Sequence, residues 1–90
     1  MTHTIAFNTG RLYTEQGQRI AARQLATGHI IMMDIDRGID YLLPAYVELN
    51  KRDVMSAYDS NSHVYPSDIG LDYSDYYAVV KELSHIANTI

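Results

Sequence analysis

The run Arg19-Ile20-Ala21-Ala22-Arg23-Gln24-Leu25-Ala26-Thr27-Gly28-His29-Ile30-Ile31-Met32-Met33-Asp34-Ile35-Asp36 decides the fold. Two eight-residue stretches, Arg19 to Ala26 and His29 to Asp36, flank Thr27-Gly28. A glycine-containing turn between two apolar runs reads as an antiparallel β-hairpin. The second arm, with its β-branched Ile30, Ile31 and Ile35, suits a central strand. The first arm admits two readings. Gln18 to Ala26 is rich in good helix formers, and Gly28 could then be a helix C-cap; the hairpin reading makes the same residues a strand.

Working outward, His3 to Asn8 alternates and predicts a strand, and Asn8-Thr9-Gly10 is a turn signal. Arg11 to Thr14 fits a further short strand. Beyond Pro44 the pattern becomes helical. Asn50 is a good N-cap for a helix running to about Ser60, with Asp53 at N3 and Leu49 and Val54 spaced as a hydrophobic staple. The spacing of Tyr76, Val79, Val80, Leu83, Ile86, Ala87 and Ile90 predicts a second helix over Ser74 to Ile90. Strands followed by helices give the α+β class. The expectation is one domain, residues 1–90, with a small antiparallel sheet of three to four strands from the N-terminal half, packed on one face against two C-terminal helices.

Composition narrows the function. Ninety residues bury only ~60–65% of the unfolded chain's surface, which leaves little room for a deep, rigidly supported catalytic cleft. Hydrophobic residues are 47% of the chain and charged residues 20%, a globular balance. The absence of cysteine rules out disulfides and thiolate metal sites. No apolar run approaches a membrane span, and Met1-Thr2-His3-Thr4 lacks the features of a signal peptide, so a cytoplasmic protein without membrane contact is expected. The net charge of −4 divides into +2 over residues 1–33 and −6 over residues 34–90. Direct nucleic-acid binding needs a basic footprint, whereas this balance suits a basic protein partner.

Catalytic chemistry finds little support. Asp34-Ile35-Asp36 follows an apolar strand, and in an extended chain both carboxylates point to one face, where with Asp40 they could share a hard cation such as magnesium. The competing reading is an acidic, solvated strand end balanced by Arg37. An EF-hand does not fit, because glycine comes one position early and Ala45 stands where the late glutamate belongs. His3, His29, His63 and His85 have no metal-ligand spacing, no serine sits in a nucleophile elbow, and no glycine run matches a phosphate loop. No catalytic residue, metal or cofactor is assigned, and the chain reads as a non-enzyme.

The segment Tyr58 to Tyr77 carries the most functional information. It holds Tyr58, Tyr65, Tyr73, Tyr76 and Tyr77 among Asp59, Asp68, Asp72 and Asp75, with no lysine or arginine. Tyrosine offers large contact area at low rotamer cost, and aspartates steer such a surface toward basic groups. Tyr58, Asp59, Tyr65, Asp68, Asp72, Tyr73, Asp75 and Tyr77 are therefore the expected partner-binding residues; Tyr76 falls on the apolar helix face. The bland alternative is an acidic, aromatic loop whose tyrosines close the core and whose aspartates serve as caps.

Phe7-Asn8-Thr9-Gly10-Arg11-Leu12-Tyr13-Thr14 and Asp34-Ile35-Asp36-Arg37-Gly38-Ile39-Asp40 resemble stretches of small phage and mobile-element proteins. The tiny, acidic, tyrosine-rich make-up without a catalytic signature is similar to that of anti-CRISPR proteins. The resemblance is one of type and carries no site residue. It implies a stoichiometric inhibitor that occupies a nucleic-acid-binding surface of a bacterial defence complex. Two other readings stand beside this one: a small metal-dependent enzyme or metal-binding module built on Asp34, Asp36 and Asp40, and a self-associating structural subunit, such as a homodimer formed through Ile86, Ala87 and Ile90.

Overall fold

In the computed structural model, residues 11–15 and 18–88 are described. Four strands, β1 (Arg11–Glu15), β2 (Gln18–Gln24), β3 (Ile30–Asp34) and β4 (Ile39–Leu43), form an antiparallel sheet in the order β1-β2-β3-β4. Helix α1 (Lys51–Asp59), a short 3-10 turn (Pro66–Ile69) and helix α2 (Tyr73–Asn88) follow. The α+β class holds. The strand expected over His3 to Asn8 lies outside the described residues.

The hairpin forms as predicted, with Ile20 opposite Asp34, Ala22 opposite Met32 and Gln24 opposite Ile30. Its turn closes through Gly28 N–H to Leu25 O at 2.9 Å and Leu25 N–H to His29 O at 2.7 Å. Gly28 has φ +97, and a Cβ there would stand 3.3 Å from Ala45 Cβ, so glycine meets both a backbone and a packing demand. The helical tendency of the first arm yields to tertiary packing. Ala21 and Ala22 are both fully buried although they point to opposite faces of the sheet, and only an extended chain covered on both sides achieves that.

Ile39–Leu43, which carries no local strand signal, is β4, and it pairs with β3 from Asp34–Ile39 to Ile30–Leu43. The connection is an Asx turn. Asp34 Oδ1 accepts from the backbone N–H of Asp36 (3.1 Å) and Arg37 (3.2 Å), while Asp34 O accepts from Gly38 N–H at 2.8 Å.

The two helices do not share a face of the sheet, which corrects the expected layering. Ile20, Ala22, Ile30, Met32 and Leu43 form one core with Val54, Ala57 and Tyr58 of α1. Ala21, Ile31 and Leu42 form a second core with Tyr76, Val80 and Leu83 of α2. Alternate residues of each strand thus feed opposite layers, and the sheet is sandwiched between the helices. The physical reason is β3 itself. Ile30, Ile31 and Met32 are fully buried in succession, and each is worth about 1.5–3 kcal/mol only if its own side of the sheet is covered.

α1 starts where its cap predicts. Asp53 N–H donates to Asn50 Oδ1 at 2.8 Å, and Asn50 Nδ2 donates to Asp53 Oδ2 at 2.8 Å. Leu49 packs against the core that contains Val54. α2 begins at Tyr73, where Tyr76 N–H reaches Asp72 O at 2.9 Å, and an Arg23–Glu82 ion pair ties β2 to its outer half.

Candidate protein-binding surface

β4 anchors two aromatic groups, one on each face of the sheet. Asp40 and Tyr41 are neighbours in the strand and point to opposite sides. On the α2 side, Tyr76 is 3% exposed and its hydroxyl donates to Asp40 Oδ2 at 2.7 Å. Burial, then the Asp40 carboxylate, push the Tyr76 phenol far above its usual pKa, so it remains a donor. This bond clamps the first turns of α2 onto β4.

The clamp displays the residues on either side of Tyr76. Tyr73 and Tyr77, one turn apart, are 49% and 51% exposed, with rings stacked at 6.2 Å and 24°. Tyr77 also meets the Tyr76 ring edge-on at 5.0 Å. Asp72 and Asp75 are exposed beside them. Asp75 lies in the first turn, where the helix dipole favours its charge. These four predicted residues are brought together on a helix end fixed to the sheet.

The other predicted residues are placed differently. Tyr65 is 61% exposed and meets His63 edge-on at 5.8 Å; its backbone N–H donates to Asp68 Oδ2 at 3.3 Å. Asp68 therefore caps the 3-10 turn while remaining exposed, and that turn packs against α2. Asp59 is exposed at the end of α1. Among the described residues, no ring contact joins Tyr65 to Tyr73 or Tyr77, and no ion pair engages Asp59, Asp68, Asp72 or Asp75.

Tyr58 is not a surface residue. It is 5% exposed in the α1 core, and its hydroxyl donates to Asp34 Oδ2 at 2.8 Å. Arg37 Nη1 donates to the same hydroxyl at 3.4 Å. Burial and the Asp34 carboxylate raise the Tyr58 pKa. Its place follows from helical spacing, because it stands one turn beyond Val54 on the apolar side of α1. Edge contact with Tyr41 at 5.1 Å links Tyr58 to His63, which stacks on Tyr41 at 5.2 Å and 12°.

The three carboxylates considered for a cation do not converge. The chain leaves the extended conformation at Asp34, so Asp34 and Asp36 no longer share a face. Asp34 is fully buried under Tyr58. Asp36 accepts from Arg19 N–H at 2.8 Å, Nε at 3.1 Å and Nη2 at 2.9 Å, and those bonds hold its pKa below the ordinary value. Asp40 faces α2 and is engaged by Tyr76. Among the described residues, no group of three histidine or carboxylate side chains is arranged to hold a metal ion.

Tyr41 is the residue that sequence reasoning missed, and Asp40, expected only as a cation ligand, instead accepts from Tyr76; recognition of β4 would have placed both. The self-association expected through Ile86, Ala87 and Ile90 rests on Ala87 and Ile90, whose side chains lie outside the described set. Among the described residues no helix is long and apolar enough to cross a membrane. Comparison with protein-family models, with curated proteins and with solved structures finds no match to this chain.

Proposed function

We propose that the chain is a non-enzymatic binding protein that uses the acidic tyrosine surface at the start of α2 to engage and modulate a basic, nucleic-acid-binding protein, such as a CRISPR-Cas defence complex. The supporting observation is the half-exposed Tyr73–Tyr77 pair, held on a helix end by the part-buried Tyr76–Asp40 bond and flanked by Asp72 and Asp75. A rigid aromatic pair lowers the ordering cost of binding, and unpaired aspartates favour arginines and lysines on the facing surface. No lysine or arginine interrupts the sequence between Asp53 and Lys81. Asp68, on the turn that packs against α2, extends the surface, whereas the Tyr65 ring meets His63 and through it Tyr41 on the α1 side.

Affinity capture from source cells, with the whole chain as bait at low and at high salt, tests the reading. The expected result is a basic protein retained at low salt and released as salt screens the charges. Recovery of no basic protein at low salt would remove its main support.

A further inference from the structure

An open groove of about 350 Å³ runs beside α1, between the helix and the loop that enters it from β4. Its polar lining consists of Tyr46, Glu48, Asp53, Ser56, Ser60 and Ser62. No lysine or arginine lines it. Val47 and Ala57, both core residues, supply its apolar part. Tyr46 is 79% exposed, the highest exposure among the large apolar side chains described, and the cores give no reason for an aromatic ring there.

From this lining we infer that the groove is a recognition site for one arginine side chain of a partner polypeptide. The lining offers acceptors of the right kind. Glu48 supplies negative charge, Asp53 adds to it while its Oδ2 accepts from Asn50 Nδ2, and the serine hydroxyls, of which Ser60 and Ser62 also bond each other at 2.9 Å, supply further lone pairs, a set that suits the five N–H donors of a guanidinium. Tyr46 offers a ring face for the cation, and Val47 and Ala57 can take the methylene stem.

The size of the groove points the same way. About 350 Å³ is near the lower limit for small-ligand sites, enough for one side chain and small for a nucleotide cofactor. Phosphate ligands would meet only negative and neutral groups.

The chain itself shows the chemistry at the rim, where Arg52 Nε lies 3.4 Å from Asp53 Oδ1 with Arg52 88% exposed. The site belongs to the α1 side of the sheet and does not depend on the α2 surface proposed above.

The test is titration of the full chain with N-acetyl-L-arginine N-methylamide, followed by the backbone amide signals in NMR spectra. The equivalent blocked lysine and blocked citrulline are compared, citrulline being the neutral near-isostere. Saturable shifts at Tyr46, Glu48, Ser56 and Ser62 are expected, tighter for arginine than lysine and absent for citrulline. Tyr46→Ala, at an exposed position that leaves folding unaffected, weakens the arginine complex roughly two- to fivefold. No saturable shifts at the groove, or equal shifts with citrulline, would overturn the inference. So would shifts confined to Tyr73 and Tyr77, although the function proposed for α2 would then stand.

Discussion

Replacing Tyr58 by phenylalanine tests the buried polar contact that joins α1 to the β3–β4 turn. The substitution keeps the ring and its edge contact with Tyr41 but removes the hydroxyl. Asp34 Oδ1 retains its two backbone donors, and Oδ2 loses the 2.8 Å bond from Tyr58. What remains for Oδ2 is Arg37 Nε at 3.8 Å, too long for a hydrogen bond. Because Asp34 is fully buried, water does not replace the donor without a structural opening. A hydrogen bond to a charged group contributes about 1.5–3 kcal/mol, so a loss of about 2 kcal/mol is expected. In a domain of this size that lowers Tm by roughly 8–16 °C. Urea unfolding and thermal melts followed by far-UV circular dichroism provide the measurement. Tyr41→Phe is the control: it removes an exposed bond to Asn61 Oδ1 and should cost about 0.5 kcal/mol or less. A Tyr58→Phe variant within about 0.5 kcal/mol of wild type would refute the reasoning that Asp34 depends on this donor.

Further outcomes follow from the same contacts. The folded state raises the pKa of Tyr76, whereas in the unfolded chain the phenol titrates near its usual value of about 10. The unfolded state therefore loses this proton first, and the stabilisation, complete below pH ~10, declines as pH rises above it. Urea midpoints measured across that range should fall, and Tyr76→Phe should flatten the decline. Asn50→Ala removes the cap that accepts from Asp53 N–H and should cost about 1 kcal/mol in urea unfolding, with α1 destabilised first.

Legibility in the sequence followed the strength of local signals. The β2–β3 hairpin was readable because two apolar runs flank a glycine turn, and α1 because Asn50 and Asp53 make a recognisable cap. β4 was obscured because both of its faces are engaged: Asp40 serves α2 and Tyr41 packs on the α1 core, so no polar and apolar alternation marks the strand. The Asp34-Ile35-Asp36 motif looked like a cation site only while the chain was taken as extended; a turn sends the two carboxylates to different partners. The two-sided packing was implicit in Ile30-Ile31-Met32-Met33, since an uninterrupted apolar strand needs cover on both faces. Within the tyrosine segment, composition could not separate inside from outside. Helical phase does so for Tyr58 and Tyr76, whereas the exposure of Tyr65 depends on a 3-10 turn with no periodic signal.

The proposed contact with a basic protein lies at the start of α2. The direct measurement compares how much of the captured protein is retained by wild type, by the Tyr73→Ala/Tyr77→Ala double variant and by a Tyr58→Phe bait, each shown by its melting curve to be folded. The α2 double variant should lose the partner while Tyr58→Phe keeps it. Equal retention by a folded double variant would contradict the assignment.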